Sequence, residues 1–189
     1  MELRIYVGCS GSGKTTLIKQ RYLSYALCVR YHEDSMSRYI PHTHVIQKME
    51  SKTEGERIIL AGKYFDFVEI MEMRKHHKKI VEGTDCLRRE FNWKDIIRFI
   101  GSIERGTTSL IVDGYKVYNS QFIRKAMAIR GVKVCVTRVR AASELCWSRL
   151  IHRGDCPKFS VHKKNFEQAA RFGWFCESLG IVDEQKIQE

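Results

Sequence analysis

The sequence has little proline, two residues in 189, so no proline-rich linker or extended polyproline segment divides it. Long apolar runs are missing too. Stretches such as Leu110-Ile111-Val112 fall far short of the ~18 residues of a membrane span, and the expectation is a soluble protein with no membrane partner. The first residues, Met1-Glu2-Leu3-Arg4-Ile5-Tyr6-Val7, carry a carboxylate at position two and no uninterrupted apolar stretch. Neither a secretory signal nor a transit peptide is expected, and the product is expected to stay in the cell that makes it. The seven cysteines, Cys9, Cys28, Cys86, Cys135, Cys146, Cys156 and Cys176, form no Cys-x-x-Cys pair. An odd, scattered set argues against a disulfide framework and a zinc ribbon and reads as reduced thiols. Acidic residues are the scarcer charge: 22 Asp and Glu against 33 Lys and Arg leave a formal charge of +11. That balance excludes disorder driven by acidity and makes a polyanion a candidate partner.

What is present suits one compact domain over residues 1–189, with no internal repeat or low-complexity tract. Short β-branched runs alternate with segments of helical period, which predicts a parallel α/β sheet. The spacing predicts strands at Leu3–Val7, Arg57–Ala61, Ser109–Asp113 and Val132–Thr137. It predicts helices at Lys14–Leu27, Trp93–Ile103, Ser120–Ile129, Ala142–His152 and Val161–Leu179. Asn92 stands where an N-cap belongs, Ile96, Ile97, Ile100 and Ile103 make one apolar stripe, and Gly106 offers a stop. Cys28 to Thr53 is dense in His, Tyr, Ser and charge; a short strand around Cys28 to Tyr31 is the one element it suggests.

The sharpest chemical signal is Gly8-Cys9-Ser10-Gly11-Ser12-Gly13-Lys14-Thr15. It satisfies G-x-x-x-x-G-K-[ST] and lies between an apolar strand and a helical pattern, where a phosphate-binding loop must lie. Glycines let the backbone fold into a nest whose N–H groups meet phosphate oxygens, the helix start adds its positive end, and Lys14 reaches the β and γ phosphates. Gly8, Ser10, Gly11, Ser12, Gly13, Lys14, Thr15 and Thr16 are therefore the candidate residues for ATP. Thr15 supplies a hydroxyl for Mg²⁺, and Thr16 caps the helix or touches the α phosphate. Cys9 reads as a small side chain at a variable position.

Phosphoryl transfer also needs a carboxylate near the metal or the nucleophile. Leu110-Ile111-Val112-Asp113-Gly114 supplies it, with Asp113 leaving a buried strand at its C-terminal end. An ordinary turn is the other reading of Asp-Gly. Arg149 and Arg153 stand four apart on a predicted helix, so both guanidiniums can face one anion, as a lid over ATP requires; a solvated basic face is the alternative.

In this order the elements resemble the thymidylate-kinase-like branch of the P-loop nucleotide kinases. The resemblance covers most of the chain, weakly in the middle, and implies a three-layer P-loop kinase fold with a central parallel sheet, an arginine-bearing lid, ATP and Mg²⁺ held by Thr15 and Asp113. The family's Asp-Arg-Tyr is here Asp113-Gly114-Tyr115, followed by Ser120. The missing arginine counts against a nucleoside monophosphate acceptor. Gly62-Lys63-Tyr64, followed by Gly83-Thr84-Asp85, also resembles the bacteriophage kinases that phosphorylate 5-hydroxymethyluracil in DNA. That resemblance implies a host cytoplasm for a viral chain and DNA with a modified pyrimidine as partner. Asp85 is then a candidate general base, a capped turn being the equal alternative. Asp34, followed by Arg38, is another candidate base, as in polynucleotide kinases, unless it lies in a solvated loop.

The charge favours a nucleic-acid acceptor over a free nucleotide. Arg74-Lys75-His76-His77-Lys78-Lys79 and Arg88-Arg89 are dense enough to neutralise a phosphate backbone, or form a solvated helix face. Phe65, Phe67, Phe91 and Trp93 flank them and stack on an extruded base or pack in the core. His76-His77 and His42-Thr43-His44 lack partners at zinc spacing. Three rivals stand beside the hydroxymethyluracil kinase: a nucleoside or nucleoside monophosphate kinase, a polynucleotide 5′-hydroxyl kinase, and a DNA-binding NTPase that transfers nothing.

Overall fold

The computed structural model describes residues 1–23, 29–31, 44–47, 57–65, 67–76, 82–87, 92–103, 108–155 and 158–188. Strand β1 (Glu2–Val7) leads through a glycine-rich loop into α1 (Lys14–Ile18), which continues as one π-helical stretch, Lys19–Leu23. Then come β2 (Val29–Tyr31), β3 (His44–Gln47), β4 (Arg57–Leu60), α2 (Phe67–Lys75), α3 (Trp93–Ser102) and β5 (Thr108–Asp113). The chain ends with α4 (Ser120–Met127), β6 (Lys133–Ala141), α5 (Ser143–His152), α6 (Phe159–Ser178) and β7 (Val182–Gln188).

One sheet runs in the order β2-β3-β4-β5-β1-β6-β7. Its five strands β4, β5, β1, β6 and β7 are all parallel, and β2 and β3 extend one edge antiparallel. The protein is thus α/β, as the alternation predicts. Leu3, Ile5 and Val7 of β1 point to a core closed by Ile96, Phe99 and Ile100 of α3, Phe122 and Ile123 of α4 and Phe172 of α6. Tyr6 points the other way, where Ile18 and Tyr22 pack over Ile58, Leu60 and Ile111. Period-two alternation along strands buried on both faces gives the sheet a helical cover on each side. After β1 the next strand is β2 at the far edge, whereas β5 is followed by β6 and β6 by β7 on the opposite side, so the strand order reverses at β1, the kind of switch point at which doubly covered sheets bind ligands at their C-terminal strand ends.

Local chemistry accounts for the helix starts. Asn92 accepts from the Lys94 N–H at 2.9 Å while Asp95 accepts from the Asn92 N–H at 2.9 Å, a capping box. Asn119 caps α4 by accepting from the N–H groups of Gln121 at 2.8 Å and Phe122 at 3.3 Å, without the return bond. The predicted helix from Lys14 is not a uniform α-helix: it widens to π geometry after Ile18. The wider turn serves three anchors. Lys19 reaches the Phe65 carbonyl and Glu82, Arg21 reaches Glu184, and Tyr22 meets the Tyr6 hydroxyl. Residues 24–27 of that prediction, and Gly106, lie outside the described residues. Strand β6 runs on to Ala141 because Arg138, buried in it, is neutralised by Glu177 of α6. Among the described residues no helix is long and apolar enough to cross a membrane.

Candidate functional site

The parallel register brings two loops to one level. Tyr6, two residues before the glycine-rich loop, pairs with Asp113 at the end of β5. Gly13, at φ +94°, is the N-cap of α1 and offers no side chain, so the first N–H groups of that helix get no side-chain cap. Ser12 is fully buried and its Oγ has no hydrogen-bond partner. Lys14 is 8% exposed, and its ammonium donates to the carbonyls of Gly8 at 2.8 Å and Cys9 at 2.9 Å. A compact nest carrying a positive charge, an orphaned hydroxyl and uncapped amides fits an anion of phosphate type once Lys14 turns from the Gly8 and Cys9 carbonyls to the anion. Thr15 is half-buried and Thr16 exposed at the same helix start.

Two tyrosines hold this loop. Tyr118 Oη accepts from the Gly8 N–H at 2.9 Å and donates to the Gly8 carbonyl at 2.8 Å, and Tyr115 Oη accepts from the Ser10 N–H at 2.9 Å. Both sit on the 3₁₀ turn that follows Asp113, their rings edge to face at 5.3 Å. The Asp113-Gly114-Tyr115 motif gives Tyr115 no role and leaves Tyr118 out. The available signal was their three-residue spacing, which a 3₁₀ turn brings to one side.

The acidic part is built from two segments that interlock. Asp113, 3% exposed, accepts from Tyr64 Oη and from the Thr84 N–H, both at 2.9 Å, and its own N–H donates to Thr84 Oγ1 at 3.1 Å. Thr84 Oγ1 is also within 3.0 Å of the Ala61 carbonyl. Gly62-Lys63-Tyr64 and Gly83-Thr84-Asp85 thus meet, with a β-bridge between Lys63 and Gly83. A Cβ on Gly83 would lie 2.4 Å from Asp113 Oδ1, and one on Gly114 would lie 2.5 Å from the Asp85 carboxyl. Asp85, half-buried, and Asp113, buried, are therefore neighbours. Burial, then the Asp113 charge, pushes the Asp85 carboxyl up to about 6, against the pull of Lys14. Burial also raises Asp113, opposed first by Lys14 and then by its hydrogen bonds from Thr84 and Tyr64. The phenol of Tyr64 is raised well above its ordinary value by burial and by Asp113.

Helix α5 reaches the loop from the other side. Arg149 donates to the Gly11 carbonyl at 3.3 Å, and a Cβ on Gly11 would sit 2.4 Å from the Cys146 carbonyl. Cys9 and Cys146 face each other with their sulfurs 2.9 Å apart. Arg153 does not join Arg149: its side chain is 49% exposed and pairs with Asp155 at 2.7 Å.

Other sequence candidates fall elsewhere. Asp34, Arg38, His42, His77, Lys78, Lys79, Arg88, Arg89 and Phe91 lie outside the described residues. Lys75 and His76 are exposed at the end of α2 and pair with Glu72. Trp93 is a core residue against Phe122, flanked by the ammoniums of Lys94 and Lys125 at 5.9 and 5.5 Å, so it is no platform for a base. No protein-family model and no curated protein matches the chain.

Proposed function

We propose that the protein is an ATP-dependent phosphotransferase of the P-loop kinase type, moving the γ-phosphoryl group to an alcohol. The observation that carries this reading is the meeting of an uncapped, glycine-built helix start bearing Lys14 with two neighbouring carboxylates, the buried Asp113 and the half-buried Asp85, at one sheet edge. A lone phosphate-binding turn needs no such acids; transfer to a hydroxyl does.

The loop residues Gly8 to Gly13 and Lys14 bind the triphosphate, with Thr15 and Thr16 at the helix start. Arg149, already at the Gly11 carbonyl, faces the terminal phosphate; Arg153 reaches it once its pair with Asp155 opens. Mg²⁺, for which Thr15 and Asp113 are the donors, would neutralise charge on the phosphates. The acceptor oxygen attacks the γ phosphorus, the bond to the β,γ-bridging oxygen breaks, ADP leaves, and the hydroxyl proton passes to Asp85.

The acceptor we propose is the hydroxymethyl group of 5-hydroxymethyluracil in DNA. It rests on the Gly62–Tyr64 and Gly83–Asp85 segments, on the absence of an arginine after Asp113, and on the +11 charge. The test offers γ-labelled ATP with hydroxymethyluracil DNA, plain DNA with a 5′-hydroxyl end, or free dTMP. Label in the first alone is expected. Label only in dTMP overturns the nucleic-acid acceptor, label only at 5′ ends makes the protein an end kinase, and phosphate release with no labelled acceptor makes it an NTPase. Full transfer by Lys14→Ala overturns the mechanism.

A further inference from the structure

The strongest feature that phosphoryl transfer leaves unused is the pair of sulfurs between the glycine-rich loop and α5. Cys9 and Cys146 are 137 positions apart in sequence, both almost fully buried, with a sulfur separation of 2.9 Å. That is less than 1 Å longer than a disulfide bond of about 2.05 Å. Cys86, Cys135 and Cys176 form no comparable pair among the described residues.

We propose that Cys9 and Cys146 are an oxidative modification site, a dithiol that a peroxide closes into a disulfide, fastening the glycine-rich loop to α5. The chemistry balances in two steps. The Cys146 sulfur attacks the peroxide, the O–O bond breaks, Cys146 becomes a sulfenic acid and the peroxide leaves as an alcohol or water. The Cys9 sulfur then displaces that hydroxyl as water and the S–S bond forms, so two thiols are oxidised and one peroxide is reduced.

The surroundings assign the roles. The hydrogen bond from Cys9 holds the Cys146 thiol below its ordinary value against the effect of burial, and the cations Arg149 and Lys14 pull the same way. The same hydrogen bond and burial raise Cys9. Cys146 is thus the attacking sulfur and Cys9 the resolving one. Burial slows the first step, but the partner is already in place for the second.

The loop would then be fixed in the state seen here, in which Lys14 is spent on the Gly8 and Cys9 carbonyls and Arg149 on the Gly11 carbonyl. This consequence rests on the phosphotransferase reading; the bond itself does not.

The experiment treats the full chain with graded hydrogen peroxide, alkylates remaining thiols, digests and maps the peptides. A Cys9–Cys146 cross-link that dithiothreitol reverses is expected, with a rise in melting temperature of roughly 5 °C or more that is absent in Cys9→Ser and in Cys146→Ser. Thiols at both positions that stay open to alkylation, or that scramble with Cys135 or Cys176, overturn the proposal. Calorimetry with magnesium ATP should show affinity falling at least tenfold on oxidation and returning on reduction, with peroxide leaving the affinity of Cys146→Ser unchanged. A cross-link with unchanged affinity removes the latch. A reduced protein that binds no nucleotide defeats the phosphotransferase reading and leaves the cross-link standing.

Discussion

Tyr118 holds Gly8 by both of its backbone polar groups, accepting from the N–H at 2.9 Å and donating to the carbonyl at 2.8 Å through one buried hydroxyl. Gly8 is the first residue after β1 and opens the loop, so one side chain from the turn after β5 sets the take-off angle of the loop. The ring itself is fixed separately, stacked on Phe172 with centroids 5.0 Å apart and planes 17° apart.

Tyr118→Phe therefore keeps the ring packing and removes only the hydroxyl. The Gly8 N–H loses its partner in a buried place, and the expected cost is about 1–3 kcal/mol of stability. Urea unfolding measures it, and the same variant should bind magnesium ATP more weakly, because the loop amides are no longer held at one angle. A midpoint equal to that of the parent protein would show that the double hydrogen bond stabilises nothing.

Asp85 gives the protein a pH dependence of definite sign. Its carboxyl titrates near 6, against 3.8 when unperturbed. Between those values the folded state binds more protons than the unfolded one, so stability falls as pH rises from about 4 through 6, by up to about 3 kcal/mol. Asp85→Asn should flatten that slope in urea midpoints taken between pH 4.5 and 7.5. As general base Asp85 works only when ionised, so kcat/KM should climb through pH 6 in the parent protein. The variant should lose most of the rate together with that limb, whereas a merely structural Asp85 would leave the limb intact.

Glu184 carries the opposite sign. Hydrogen bonds from Arg21, then from Lys186, bring its carboxyl down to about 2, although partial burial opposes them. A depressed carboxyl adds stability above the unfolded value near 4.5 that is lost as pH falls toward 2. Glu184→Gln should cost about 1 kcal/mol at pH 7 and reduce the acid-induced loss below pH 4, followed by circular dichroism against pH.

These three groups also show what the sequence can and cannot reveal. The strands Glu2–Val7 and Thr108–Asp113 are legible through their buried apolar positions, Leu3, Ile5 and Val7 in the first and the run Leu110-Ile111-Val112 in the second. Strand β7 was missed because its inward positions include Glu184 and Lys186, which are satisfied by ion pairs and not by apolar contact, so the alternation of Val182–Gln188 carries no hydrophobic signal. The loop from Gly8 to Lys14 stood out through spacing alone. The partners Tyr118, Thr84 and Cys146 did not, since each meets its target across a distance in sequence that only strand order closes. Asp85 was open between a base and a capped turn; the contact of Gly114 with its carboxyl is what sets it beside Asp113.

Gly83 offers a test of that interlock with its own control. Its φ is +74°, and an added Cβ would lie 2.4 Å from one oxygen of the buried Asp113 carboxyl. Gly154 has a similar φ of +79° with nothing within 4 Å of the same position. Gly154→Ala should then cost only the backbone penalty of about 1–2 kcal/mol. Gly83→Ala carries that penalty and must also displace a carboxylate held by Tyr64 and Thr84, for a total of about 3 kcal/mol or more. The difference between the two variants, read from urea midpoints, contains the cost of moving Asp113 together with the stricter backbone of Gly83, whose ψ of −163° is open essentially to glycine alone. If phosphoryl transfer depends on the closeness of Asp113 and Asp85, Gly83→Ala should lose rate at saturating ATP under conditions where it remains folded, and Gly154→Ala should not. Equal stability losses for the two alanines would mean that the segments before Asp85 and after Asp113 can part without strain, leaving no reason for the two acids to act as one site.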